Sequence, residues 1–139
     1  MKKAFILSML TVFSGLIISC NDNDDYSEIT DVYATKIDSV RIPIDTMTLG
    51  VTQEILTYST FTKSCEGIYS YDYQYTNDST RTITNFAFKT NDVCSDGSYV
   101  NGVRINFKPT KTGNYTFKFY TGKDSAGAST FLEKRVVVE

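Results

Sequence analysis

The chain has 139 residues, enough for one domain, and its 41% hydrophobic and 22% charged residues predict a folded protein. It contains no histidine, so the commonest general base and metal ligand at neutral pH is missing. A formal net charge of −2 argues against a nucleic-acid partner, because phosphate backbones are bound by clustered lysine and arginine.

The first twenty residues have the character of an export signal. Lys2 and Lys3 precede an uncharged run over residues 4–19, which is shorter than the ~20 residues that cross a bilayer as a helix. The run ends in Leu-Ile-Ile-Ser directly before Cys20, which resembles the cleavage site of bacterial lipoproteins. The resemblance implies a signal peptide over 1–19 and a Cys20 that carries a diacylglyceryl group and an N-linked fatty acid such as palmitate. An ordinary signal peptide beside a chance cysteine is the alternative.

The residues that follow Cys20 are acidic. Asp22, Asp24 and Asp25 lie in a five-residue polar run, which resembles the surface-export signal of some Gram-negative lipoproteins. That resemblance implies a lipid anchor in the outer membrane, with the protein exposed at the cell surface. A tether that is merely repelled by anionic headgroups is the simpler interpretation, and a periplasm-facing orientation stays open.

The rest of the chain divides into a linker and a domain. Residues 20–36 are polar without helical periodicity, which predicts a lipidated, acidic and flexible linker. Residues 37–139 show apolar side chains at every second position, which is typical of strands. The alternation predicts about seven strands, near residues 40–44, 48–61, 69–75, 81–89, 103–107, 115–119 and 132–138. We therefore expect an all-β, antiparallel sandwich of two sheets.

One turn favours a particular kind of sandwich. Gly113 lies two residues before Tyr115, which opens the sixth predicted strand, and this arrangement resembles the tyrosine corner of immunoglobulin-like domains. The resemblance implies that Tyr115 is buried, with its hydroxyl bonded to the backbone of residues 108–113. The tryptophan and the cysteine spacing of antibody domains are missing, so an antibody-type domain is not expected.

Two cysteines remain after lipidation. Cys65 and Cys94 fall in the loops that follow the second and fourth predicted strands, and an exported protein meets oxidising conditions. In an immunoglobulin-like sandwich these loops lie at one end, beside the loop between the last two strands. We therefore predict a disulfide there. A catalytic or metal-binding cysteine is the alternative, but no histidine is present to activate a thiolate.

The loops at that end supply the candidate binding residues. Carboxylates on loops are the ligands that Ca²⁺ prefers, although the spacing matches no EF-hand and Asp-Gly pairs are common in ordinary turns. The candidates are Glu66, Asp92, Asp96 and Asp124. A rival surface is the outer sheet face that carries Arg104, Asn106 and Lys108.

A tyrosine ladder is the last feature that stands out. Tyr69, Tyr71, Tyr73 and Tyr75 alternate with polar residues, which is consistent either with a ligand-stacking stripe or with one face of the core. The polar character of the opposite face favours the core. With no catalytic constellation, we expect a non-enzymatic, lipid-anchored module that binds an envelope protein or a glycan. A small accessory subunit of a larger envelope assembly is the alternative.

Overall fold

The computed structural model describes residues 27–139, so the predicted signal peptide, Cys20 and the acidic run lie outside the described residues. Residues 27–139 form nine strands and no helix, in two sheets, which confirms the all-β, two-sheet class. The strands are β1 (Ile29–Thr35), β2 (Ser39–Arg41), β3 (Thr46–Met47), β4 (Gln53–Lys63), β5 (Glu66–Tyr75), β6 (Thr80–Thr90), β7 (Asp96–Phe107), β8 (Gly113–Lys123) and β9 (Ser129–Val138).

The larger sheet is built around β6. Strand β5 pairs with β6 along nearly its whole length, and the other edge of β6 is shared by two strands. There β8 pairs in parallel with residues 80–83, and β1 pairs antiparallel with residues 85–90. Strands β9 and β3 continue the sheet beyond β8, with β3 parallel to β9. Two of the pairings are thus parallel, where the sequence pattern predicted only antiparallel ones.

The smaller sheet has three antiparallel strands in the order β2, β4, β7. Its inner face and that of the larger sheet enclose one apolar core, because strand alternation turns the apolar residues of both sheets inward. The largest fully buried core side chains include Ile55 and Ile105 of the smaller sheet and Ile83, Phe117 and Phe119 of the larger one.

A buried amide also links the two sheets. Asn85 of β6 donates from Nδ2 to Thr57 Oγ1 (3.1 Å) and to Ser59 Oγ (3.2 Å) of β4. All three side chains are fully buried, and a buried amide without partners would be costly, so these bonds fix which residues of the two sheets face each other.

Two segments differ from the sequence prediction, which accounts for nine strands where about seven were expected. The predicted linker already forms β1 from Ile29 onward; β1 buries little apolar surface, so it lacks the alternation that marks a strand. The first predicted strand, 40–44, ends at Arg41 as β2, and β3 forms in the other sheet at Thr46–Met47, where no strand was predicted. Pro43 lies between them and has no N–H with which to continue a ladder.

Candidate functional site

The predicted disulfide is present. Cys65 and Cys94 are joined, with their Cα atoms 5.1 Å apart, so the bond connects the β4–β5 turn to the β6–β7 segment. The Ser64 N–H donates to the Ser95 carbonyl (3.0 Å), and the Ser95 N–H donates to Ser64 Oγ (2.9 Å). Both connections cross between the sheets, so the sheets are tied covalently at this end, which we call the disulfide end.

The predicted acidic residues near the disulfide end are bonded to their own surroundings. Asp92 accepts hydrogen bonds from Ser27 Oγ (2.5 Å) and Thr90 Oγ1 (2.9 Å), which lower the pKa of its carboxyl. Asp96 is paired with Lys63, and Asp124 closes its own turn by accepting from the N–H groups of Ala126 and Ala128, both at 2.9 Å.

These carboxylates do not form a ligand set. Between Ser27 and Glu139, the structure brings together no group of three or more His, Cys, Asp or Glu side chains that could hold a metal ion. Glu66 lies instead beside Tyr33 and Tyr99, where burial first and the charge of Glu66 second raise the pKa of both phenols.

The rival sheet face is exposed. Arg104, Asn106 and Lys108 are all solvent-accessible, the first two on the outer face of β7 and the third just beyond its end. Arg104 forms an ion pair with Glu54 of β4, with 3.3 Å between Nη1 and Oε1. The charge on this face is therefore partly neutralised by its own neighbour.

The tyrosine ladder is only partly in the core. Tyr71, Tyr73 and Tyr75 are paired with Asn85, Ile83 and Arg81, three buried residues of β6, so all three tyrosines stand on the inner face. Strand β5 is the outermost strand of the wider sheet, however, and the three-stranded sheet covers it incompletely.

The exposure of the tyrosines reflects this partial cover. Tyr73 packs against the core, whereas Tyr71 is 42% exposed and Tyr75 is 73% exposed. Tyr69, at an irregularity in the β5–β6 pairing, is 57% exposed. The core prediction is therefore correct for Tyr73 and wrong for the other three.

Arg81 is the only charged side chain among residues 27–139 that is buried, at 6% exposure. Its Nη1 donates to the carbonyl oxygens of Asn77 (2.7 Å) and Thr80 (3.0 Å), and its Nη2 donates to that of Asp78 (3.2 Å). No carboxylate of the described residues forms an ion pair with it. The charge is therefore compensated by carbonyl dipoles at the β5–β6 turn.

Two aromatic rings complete the surroundings of Arg81. Its guanidinium carbon lies 4.2 Å from the ring centroid of Tyr75 and 5.4 Å from that of Tyr115, distances at which a cation attracts the face of an aromatic ring. Tyr115 is itself 4% exposed, and its hydroxyl donates to the Lys111 carbonyl (3.0 Å). We call this region, where Tyr75, Arg81 and Tyr115 meet, the tyrosine end.

A groove of about 330 Å³ opens at the tyrosine end. Its polar wall includes an ion pair between Asp78 and Lys111, with 3.4 Å between Oδ2 and Nζ. We call it the Tyr75 groove; its lining residues are Tyr75, Asn77, Asp78, Arg81, Thr110, Lys111 and Tyr115.

Two further grooves, of about 510 and 370 Å³, lie along β9, the first beside β3 and β8 and the second beside β2. They share Asp45, Arg135 and Val136, and neither is lined by an aromatic side chain. Of these three grooves, the Tyr75 groove alone combines an exposed aromatic ring with a buried cation behind it.

Sequence reasoning missed Arg81, although a signal was present. Alternation along β6 places Arg81 on the same face as Ile83, Asn85 and Ala87, so a charged residue stands at an inward position. Because burying a charge without partners is costly, a charged residue at an inward position marks a candidate functional site.

The chain matches no protein-family model, no curated protein and no solved structure. Within residues 27–139, no helix has the length and apolar character needed to cross a membrane.

Proposed function

We propose that the protein is a lipid-anchored, non-enzymatic binding module of the bacterial outer membrane, exposed at the cell surface, and that its Tyr75 groove binds a glycan. The observation that carries the glycan proposal is that the Tyr75 ring is both exposed to solvent and held in place by its neighbours. It is 73% exposed, yet Arg81 lies against it at 4.2 Å and the Tyr73 ring meets it edge-on at 5.5 Å.

A ring fixed in this way is suited to a sugar. The C–H face of a pyranose packs on an aromatic ring, and an ordered ring loses little conformational entropy when the sugar binds. The ion-paired Asp78 and Lys111 stand in the same groove and offer hydrogen bonds to hydroxyl groups. A protein partner would need roughly 800 Å² of surface on each side, which a groove this small does not supply by itself.

We also propose an immunoglobulin-like relationship for the sandwich. The burial of Tyr115 and the bond from its hydroxyl to the Lys111 carbonyl support this, because the tyrosine corner of such domains has that arrangement. The parallel pairing of β6 with β8 departs from the antiparallel sheets of that fold, so the proposed relationship extends to the corner and the two-sheet plan only.

The proposed anchor agrees with the position of the groove. The described chain enters at the disulfide end, where Ile29 is paired with Thr90, whereas Arg81 lies at the other end of β6. Nine residue steps along the strand amount to about 30 Å. A lipid on Cys20 would be linked to Ile29 by eight residues, so the proposed orientation directs the Tyr75 groove away from the membrane.

The test is glycan-array binding by the full-length lipoprotein purified in detergent. We expect binding to a defined class of glycan, and we expect Tyr75→Ala to weaken it by about tenfold or more. Tyr69→Ala is the matched control, because Tyr69 is an exposed tyrosine of the same strand outside the groove. The absence of glycan binding, or equal loss in both variants, would contradict the proposal. Co-purification of an envelope protein instead would favour the accessory-subunit alternative.

A further inference from the structure

A second exposed tyrosine stands on the same face as Tyr75. Tyr71 and Tyr75 are both on the inner side of β5, opposite Asn85 and Arg81 of β6. Four residue steps along a strand separate them by about 13 Å. Tyr73 lies between them and packs against the core, so the two exposed rings flank a fixed one.

The surface between the two rings is open to solvent on one side. Within the described residues, β5 pairs only with β6, and the nearest strand of the smaller sheet, β7, pairs only with β4. The free edges of the two sheets therefore border the same side of the sandwich. Residues 27–139 cover Tyr71 and Tyr75 only in part, since 42% of Tyr71 and 73% of Tyr75 stay exposed.

We infer that the ligand of this face is a chain of several sugar units that runs along β5 and contacts Tyr75 and Tyr71 together. This inference rests on the proposed glycan-binding function and specifies its ligand. One pyranose ring covers one aromatic ring, so a single terminal sugar at Tyr75 does not reach Tyr71 at about 13 Å. A longer chain gains a second contact without a second binding event, which raises affinity.

The orientation of the neighbouring polar groups agrees with a ligand on the inner side. Asp72 and Gln74 alternate with the tyrosines and stand on the outer face of β5, where Gln74 Nε2 donates to Asp72 Oδ2 (2.6 Å). The polar groups of the Tyr75 groove share the inner side with Tyr75, so a ligand at that end of the path meets hydrogen-bonding groups. The groups around Tyr75 therefore determine which sugar binds, and Tyr71 raises the affinity for longer sugar chains.

The experiment compares chain lengths on the full-length lipoprotein in detergent. The probes are gluco-, xylo- and manno-oligosaccharides, each as a disaccharide, a tetrasaccharide and a hexasaccharide, measured by calorimetry. For the sugar that binds, we expect affinity to rise about tenfold from the disaccharide to the longer chains. Tyr71→Ala should abolish that rise and leave disaccharide affinity unchanged, whereas Tyr75→Ala should weaken binding at every length.

The possible results distinguish failure of the extended-ligand inference from failure of the proposed glycan-binding function. If affinity is the same at all lengths and depends on Tyr75 alone, the ligand is a terminal sugar and the inference is wrong while the function stands. If none of the probes binds and the array is also negative, the proposed function is wrong. Tyr71→Phe keeps the ring and should retain the length dependence, and an unchanged thermal midpoint confirms that each variant is folded.

Discussion

At the disulfide end of the molecule, the sheets are joined by Cys65–Cys94 and the acidic side chains are bonded to nearby serine, threonine, lysine and backbone groups. At the tyrosine end, a buried arginine that has no carboxylate partner within residues 27–139 bonds to three carbonyls and lies against two rings. The first end uses its conspicuous residues for its own structure. The second leaves the face of Tyr75 exposed, and this is why we propose the tyrosine end, rather than the acidic loops, as the binding site.

The largest expected effect is on the disulfide end. Replacing both Cys65 and Cys94 by serine should lower the free energy of unfolding by about 3 kcal/mol, because the bond closes a loop with a sequence separation of 29. Urea denaturation measures the loss. Glycan affinity is then measured at a temperature at which the variant is folded. If the disulfide does not influence the tyrosine end, this affinity stays within about twofold of the wild type. A loss of stability below about 1 kcal/mol would mean that the hydrogen bonds, rather than the disulfide, hold this end.

The next effect is on the tyrosine end. Arg81→Ala removes three charge-assisted hydrogen bonds and the support behind Tyr75, and it should cost about 2 kcal/mol of stability as well as most of the glycan affinity. Arg81→Lys should recover little, because an ammonium cannot reproduce the planar fork. Arg104→Ala, at an exposed ion pair, is the control and should cost no more than ~1 kcal/mol. Equal losses in the Arg81 and Arg104 variants would contradict the account of the buried cation.

A smaller effect tests the corner that supports Arg81. Tyr115→Phe removes the hydroxyl bond to the Lys111 carbonyl and should lower stability by about 1 kcal/mol. Tyr58→Phe is the control: Tyr58 is half-buried and its hydroxyl forms no hydrogen bond within the described residues, so removal of that hydroxyl should cost less. Thermal unfolding of both variants measures the difference, and an unchanged midpoint for Tyr115→Phe would remove the support for a tyrosine corner.

The smallest effect is a pH dependence at the tyrosine end. Burial raises the pKa of Tyr73 to about 12, while the nearby charge of Arg81 opposes the shift. The phenol ionises near pH 10 in the unfolded chain, so its contribution to stability is complete below ~10 and is lost as the pH rises through about 12. We expect the wild type to lose more stability than Tyr73→Phe over this range in urea titrations. Parallel curves for the two proteins would show that Tyr73 does not titrate abnormally.

Much of the fold could be predicted from local pattern. The alternation in β6, β8 and β9 reflects one buried face, and two cysteines in a chain that is predicted to be exported indicate a disulfide. Strand β1 could not be predicted in this way, because it is held by the backbone ladder and buries few apolar side chains. The parallel pairing of β6 with β8 depends on strand order, which alternation does not encode.

The site was harder to predict for a related reason. The hydrogen-bond partners of Arg81 are backbone carbonyls, which leave no residue-type signature, whereas the carboxylates of Asp92, Asp96 and Asp124 attract attention by type alone. The exposure of Tyr71 and Tyr75 depends on the unequal width of the two sheets. Sequence alternation predicts which face a residue occupies but not whether the opposite sheet reaches far enough to cover it.

The most direct test of the proposed binding site is an NMR titration of the full-length protein in detergent, labelled at tyrosine with fluorine, using the soluble glycan that binds best on the array. We predict that the signals of Tyr75 and Tyr71 shift on binding while those of Tyr69 and of Tyr33, near the disulfide end, do not. A shift confined to Tyr33 and Tyr99, with Tyr75 unchanged, would place the ligand among the loops of Glu66, Asp92 and Asp96 and would contradict the account.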